Sequence, residues 1–221
     1  MDVQLSASIL SADFSILGKE LLAVEKAGVA SIHFDVMDMH YVPNLTFGAV
    51  VLKDIANITS LPINVHLMVD HPSKYIEDYV KQGASCLIFH TDTKDNIHEL
   101  IKLGLELGVE VGVALNPDQP ADLIVPYLDK LNRVLVMTVC PGFAGQEFIA
   151  ANLAKVKFIK SAIIAQKLSC IVEVDGGVKL SNCQEIILAG ADSLVMGSGL
   201  FANSSYTKVV DEFKRCKKNL C

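Results

Sequence analysis

One unit of polar and apolar positions recurs along the chain. An amphipathic stretch ends in glycine, and a short, continuously apolar, β-branched run follows. It reads KAG-VASIHFDV at Gly28, KQG-ASCLIFH at Gly83, ELG-VEVGVAL at Gly108 and LAG-ADSLVMG at Gly190. Glycine is favoured just past a helix end because it takes the left-handed backbone at little cost. Apolar runs without alternation are what parallel strands covered on both faces require. Extending the pattern predicts eight strands, at 4–9, 30–36, 63–68, 86–90, 110–115, 133–139, 170–175 and 193–197. Helical periods fall between them at 18–27, 48–57, 72–82, 95–107, 151–166, 181–189 and 205–217, with a less regular one at 119–130. Eight alternations in 221 residues predict an α/β chain folded as a single (β/α)8 TIM barrel. A doubly wound open sheet is the competing topology, but no GxGxxG follows the first strand. No linker or composition break divides the chain, so 1–221 is read as one barrel domain.

Composition narrows the class. Half the residues are hydrophobic (51%) and only 20% are charged, which excludes a disordered chain. A net charge of -6 argues against nucleic acid as a partner. The apolar runs are short and broken by charges, so no membrane span is expected. The start, MDVQLSASILSADF, lacks a basic segment before its apolar residues, and a cytoplasmic protein is expected. Six cysteines, at 86, 140, 170, 183, 216 and 221, form no CxxC pair. They read as small packed residues in a reducing compartment, with Cys221 an exposed tail thiol.

In a barrel of this kind, side chains at the C-terminal strand ends face the active site. Strand two ends His33-Phe34-Asp35-Val36-Met37, and alternation puts His33, Asp35 and Met37 on one face. Strand three ends His66-Leu67-Met68, strand four Phe89-His90, and strand seven runs through Glu173 to Asp175-Gly176-Gly177. One such histidine is accounted for by a hydrogen-bonded core position. Ionisable groups gathered at several strand ends of an apolar barrel are costly unless paired or metal-bound. Two His and two Asp from three strands supply a mixed nitrogen–oxygen site suited to Zn, Mn, Fe or Co. Three glycine segments follow strands six, seven and eight: Pro141-Gly142-Phe143-Ala144-Gly145-Gln146, Asp175-Gly176-Gly177 and Gly197-Ser198-Gly199. Loops at those places commonly bind phosphate through backbone N–H groups. The two arginines lie elsewhere, Arg133 at the start of strand six and Arg215 in the last helix. Backbone donors, aided by Lys179, are therefore expected to hold an anion. His90 is read as a hydrogen-bonded rim residue, with orientation of a ligand as the other reading. His40 is read as loop support, and His71 and His98 as solvated helical positions. Cys140 has no basic partner in sequence and is read as packing.

SASILSADF, HFDVMDMHYVPNLTFG, VHLMV, MTVCPGFAGQEF, EVDGGV and MGSGLF together resemble the ribulose-phosphate 3-epimerase family over nearly the whole chain. That resemblance implies a phosphate-binding (β/α)8 barrel holding one divalent metal ion and acting on a phosphorylated ketose in pentose phosphate metabolism. Carried over by motif, His33, Asp35, His66 and Asp175 are the implied metal ligands, and Asp35 and Asp175 the acid–base pair. Ser8 and His66 are implied substrate contacts. Met37, Met68 and Met137 are implied to line the reacting centre, with Gly142, Phe143, Ala144, Gly145, Gly176, Gly177, Gly197 and Ser198 at the phosphate end. The expected reaction interconverts D-ribulose 5-phosphate and D-xylulose 5-phosphate. Inversion beside a carbonyl needs a proton removed from one face and another delivered to the opposite face, through an enediolate that a metal stabilises. Ala144, Cys140 and Met39 depart from the usual motif. PGFAGQ and SGLF resemble the allulose-6-phosphate 3-epimerase branch, so a hexulose phosphate is the alternative substrate. A lyase or synthase of the related barrels is a further rival, but no lysine other than Lys179 lies near these strand ends. A non-catalytic phosphosugar binder would not require two buried carboxylates. A homo-oligomer is expected, as is common for barrels of this size.

Overall fold

In the computed structural model, which describes residues 3–218, eight parallel strands close into a barrel in chain order, β1 pairing with β8. The strands are β1 (Gln4–Ser8), β2 (Ser31–Met37), β3 (Ile63–Met68), β4 (Cys86–His90), β5 (Glu110–Leu115), β6 (Arg133–Met137), β7 (Ile171–Asp175) and β8 (Ser193–Met196). The helices are α1 (Leu17–Ala27), α2 (Ala49–Ala56), α3 (Ile76–Lys81), α4 (Ile97–Glu106), α5 (Leu153–Ala165), α6 (Leu180–Leu188), α7 (Ser198–Phe201) and α8 (Tyr206–Lys218). Each predicted strand is present within two residues of its expected bounds. Gly28 ends α1 at φ 90, and its N–H bonds the carbonyls of Val24 and Glu25, as the recurrent glycine predicts.

Two predicted helices differ. Residues 119–130 hold a 3₁₀ helix, Ala121–Tyr127, because Pro126 has no N–H to offer an α turn. Residues 72–82 split into a 3₁₀ turn, Pro72–Lys74, followed by α3. Cys221 lies outside the described residues.

Strand alternation sorts the barrel into two interiors. Outward residues such as Ile32, Phe34, Val65, Leu87 and Val134 pack under the helices in the main core. Inward residues fill the barrel, where Cys86, Ile88, Ala114, Leu135, Met137 and Val195 form a separate apolar cluster. Below it the barrel floor is polar. Arg133 bonds Glu173 (2.9 Å), Ser193 donates to Glu173 (2.7 Å), and Ser6, Ser31 and Asn64 bond one another. Gly112 makes room for this arrangement, since a Cβ there would stand 2.5 Å from Arg133 Cγ. The strand register then lifts His33, Asp35 and Asp175 above that floor: Ser8 lies beside His33, Asp35 beside His66 and Met37 beside Met68.

Candidate active site

Four side chains meet at the C-terminal mouth. His33 Nε2 lies 3.3 Å from Asp35 Oδ1, 3.2 Å from His66 Nδ1 and 3.6 Å from Asp175 Oδ2. His66 Nδ1 lies 3.2 Å from Asp35 Oδ1 and 4.0 Å from Asp175 Oδ2. All four ligand atoms fall within 4.8 Å of one another. The edge of a tetrahedron around an ion with bonds of about 2.0–2.1 Å is roughly 3.3–3.4 Å. The four residues therefore fit a divalent ion in spacing as well as in donor chemistry. Of the outer ring nitrogens, that of His66 has a buried partner within hydrogen-bond distance, whereas that of His33 faces a carboxylate beyond it. His66 Nε2 is 2.8 Å from His90 Nε2, and His33 Nδ1 stands 3.9 Å from Glu173 Oε1.

The two carboxyl groups are driven apart. Burial opposes the charge on Asp35, but the charge of His33 and hydrogen bonds from His33 and His66 hold its pKa well below the usual carboxylate range. Ser8 Oγ donates to its other oxygen at 2.7 Å. Burial raises Asp175 to about 7; His33 pulls it down, and the neighbouring charge of Asp35 pushes it further up. His33 is raised to about 9: burial disfavours its charged form, and Asp35, Asp175 and Glu173 outweigh that. Burial lowers His66 despite its bond to Asp35, and burial together with His66 holds His90 neutral, well below the ordinary imidazole value.

Above the cluster lies an open cavity with about 540 Å³ of free space. Its walls include Ser8, Asp35 and Asp175, then Met37, Met68 and Met137. Gly142, Phe143, Ala144 and Gly145 line it from the loop after β6, Gly176 and Gly177 from that after β7, and Gly197 and Ser198 from that after β8. The structure thus gathers these residues around one cavity. His33 and His66 are fully buried beneath it and form no part of its wall. Leu10, Ser11 and Val178 also line the cavity and were missed, as does Gln146 from the glycine segment after β6. Lys179 is exposed at the start of α6 and does not line it.

Local bonds explain why these loops hold their shape. Thr138 Oγ1 donates to the carbonyls of Asp175 (2.8 Å) and Gly176 (2.6 Å), tying the ends of β6 and β7 together. Gly176, at φ 111, packs where a Cβ would stand 2.8 Å from the Val139 nitrogen. Thr46, which carried no signal in the sequence, donates to the Asp35 carbonyl (2.6 Å) and accepts from the Met37 N–H (3.0 Å). Asn44 Nδ2 reaches the Gly142 carbonyl (2.9 Å), joining the loop after β2 to that after β6.

Several single-residue readings change. His90 is fully buried inside the barrel rather than on its rim, its ring edge against that of His66 with centroids 5.0 Å apart. Cys140 is exposed rather than packed. His71 is partly exposed, but it precedes a 3₁₀ turn rather than lying in a helix, and it bonds Asp95 at 2.8 Å. His98 is exposed in α4, and His40 supports the loop after β2 by bonding Asp38, both as expected.

The family model for the Ribulose-phosphate 3 epimerase family matches residues 4–201. The chain belongs to this family. It is thereby an isomerase, of the epimerase kind. It is 42% identical over 216 residues to the ribulose-phosphate 3-epimerase of Bacillus subtilis (strain 168), covering 97% of this chain and all of that one. It is equally similar, 42% over 211 residues, to the enzyme of that name from Escherichia coli (strain K12), covering 95% of this chain and 94% of the other. Among solved structures, KGPDC from Streptococcus mutans superposes with a TM-score of 0.71 at 14% identity, covering 99% of each chain. A 3-hexulose-6-phosphate synthase gives 0.69 at 17% identity, covering 97% of this chain and 99% of that one. At such identities the likeness to these two structures is one of fold alone.

Proposed function

We propose that this protein interconverts D-ribulose 5-phosphate and D-xylulose 5-phosphate by inverting C3, with Asp35 and Asp175 as the proton-carrying groups. The observation that carries the reading is the pair itself: two carboxyl groups from separate strands share one cluster under the cavity, one held ionised and the other raised to about 7. Such a split suits one group to take a proton and the other to give one. The ionised carboxylate removes the C3 proton from one face, and the protonated one delivers a proton to the other. The pair is left with its protonation exchanged, ready for the reverse direction. Ser8 fixes Asp35 through its second oxygen, leaving Oδ1 toward the cluster. Met37, Met68 and Met137 supply a polarisable wall that keeps water from the reacting carbon.

His33 Nε2, Asp35 Oδ1, His66 Nδ1 and Asp175 Oδ2 would hold the divalent ion, one of Zn, Fe, Mn or Co. When bound, it supplies Lewis-acid stabilisation of negative charge developing on the substrate oxygens. The glycine loops support a phosphate end. Gly197 is one such position, where a Cβ would meet the Ser11 hydroxyl at 2.7 Å and crowd the backbone approach. The same reading takes the chain as one catalytic domain working as a homo-oligomer in the cytoplasm.

Proton NMR of D-ribulose 5-phosphate in D2O, with metal-loaded protein, tests this. Loss of the C3 proton signal as xylulose 5-phosphate appears is the expected result. No exchange with metal confirmed bound rejects the pentulose assignment, and allulose 6-phosphate is then the substrate to try. Asp35→Asn and Asp175→Asn should each lower the rate by at least about 10²–10⁴, the usual contribution of a positioned acid or base, with melting temperature little changed. Full activity in either variant at saturating metal would sink the two-carboxylate mechanism.

A further inference from the structure

We infer that His90 is a positioning residue which fixes the proton of His66 on Nε2, so that Nδ1 is free to bind the divalent ion. The inference rests on the metal reading of the cluster and goes beyond its four ligands. His66 Nε2 and His90 Nε2 are 2.8 Å apart, and both rings are fully buried. At that distance one nitrogen must donate and the other accept, because two N–H groups would collide and two lone pairs would repel. A ring that gives its Nδ1 lone pair to an ion carries its proton on Nε2. His66 is therefore the donor in the loaded protein and His90 the acceptor, with the His90 proton on Nδ1.

The His90 ring is held for that role. It meets His66 edge to edge, with ring centroids 5.0 Å apart and an interplanar angle of 25°, and Tyr41 lies against it at 4.9 Å. Tyr41 is itself clamped: its hydroxyl donates to Asp92 (2.7 Å) and accepts from Asn116 Nδ2 (2.6 Å). Asn116 also bonds Asp92 at 3.0 Å, and Lys155 Nζ caps the Asn116 carbonyl at 3.0 Å. Loops after β2, β4 and β5 thus converge on the face of one imidazole. His90 Nδ1 has no hydrogen-bond partner among the described residues, so Nε2 is the ring's one polar contact. A buried imidazole kept for packing alone would be better replaced by an apolar ring, since the unpaired nitrogen costs free energy. Its bond to His66 is what the ring provides that phenylalanine would not.

The test uses His90→Phe, which keeps an aromatic ring against Tyr41 while removing the acceptor, and His90→Gln, whose amide reaches the place of Nε2 and can accept. Zinc affinity of each purified protein is measured by chelator competition, and metal-free melting temperature is recorded alongside. The expected result is a 10–100-fold weaker zinc affinity for His90→Phe, the usual effect of losing a ligand's outer partner, with His90→Gln close to wild type. Metal-free melting of His90→Phe should match or exceed wild type. In ¹⁵N NMR of the zinc-loaded wild type, His66 should carry its proton on Nε2. Equal zinc affinity in His90→Phe and wild type, or a His66 proton on Nδ1, overturns the assignment of His90 while leaving the metal site in place. A wild-type protein that fails to bind zinc, manganese, iron or cobalt overturns the metal reading, and this inference with it.

Discussion

Arg133 and Glu173 are the residues on which the barrel floor depends. Burial works against the Glu173 charge, yet Arg133, His33 and Ser193 hold its pKa below the ordinary value. A carboxylate with a lowered folded pKa contributes stability above its unfolded pKa, and that contribution is lost as pH falls through the folded value. Arg133→Met reverses the sign. It removes the cation 2.9 Å away and leaves a buried carboxylate with only the Ser193 hydroxyl and the more distant His33 beside it, a loss toward the low end of about 3–5 kcal/mol. Glu173 in that variant then has a folded pKa above the unfolded one, so the penalty is small in acid and grows as pH rises. Chemical denaturation at pH 5 and pH 8 should show the variant's deficit widening at the higher pH. Arg133→Met with Glu173→Gln should recover most of the deficit, and a double variant no more stable than the single one would contradict this account. The clustering of His33, Asp35 and Asp175 was legible in sequence, because period-2 alternation aligns His33 with Asp35 and a strand-final position aligns Asp175. The pairing of Arg133 with Glu173 was not legible, since a charge within a strand does not reveal its neighbour. His90 was misplaced for a related reason: being last in a strand gives direction along the barrel axis but not depth below the mouth.

At the scale of elements, the strands and most helices were readable because the recurrent helix–glycine–strand unit marks where each helix stops and the next strand starts. The stretch at 119–130 failed because apolar spacing was weighed over Pro126, whose missing N–H and fixed φ govern the backbone there. The loop after β2 holds another such conflict. Met39 sits at φ 61, in the left-handed region, with its side chain largely solvent-exposed. A non-glycine residue in that conformation costs roughly 1–2 kcal/mol. Met39→Gly relieves the strain but adds unfolded-chain entropy, for a net gain of about 0.5–1 kcal/mol. In a chain of this size that corresponds to a rise of roughly 1–4 °C in melting temperature. Calorimetry checks it, and a lower melting temperature would mean that Met39 makes stabilising contacts outweighing its backbone strain.

For the whole molecule, the site and the fold are one system, because the four candidate ligands come from β2, β3 and β7 and an ion among them would join strands across the barrel. A ligand that binds only the folded state at 1,000 times its Kd adds about 4 kcal/mol of stability. For a chain of this length that is roughly 8–16 °C between metal-loaded and chelator-treated protein. The difference should also depend on pH. In the metal-free protein His33 is raised to about 9 and Asp175 to about 7. A group raised above its unfolded pKa contributes stability below that unfolded value, and the contribution is lost as pH rises through the folded one. The metal-free protein therefore loses stability between about pH 6.5 and 9 as His33 gives up its proton, and Asp175 adds to the loss up to about 7. A loaded site requires His33 Nε2 free of its proton, so the loaded barrel has no His33 proton to lose and its melting temperature stays level over the same window. By the same linkage, loading releases protons and metal affinity rises with pH. Scanning calorimetry at pH 6, 7.5 and 9, with and without chelator, should show the gap widening upward. A gap that stays constant or narrows would mean that His33 and Asp175 do not carry those protons in the metal-free barrel, and that ion binding and protonation do not compete for the cluster.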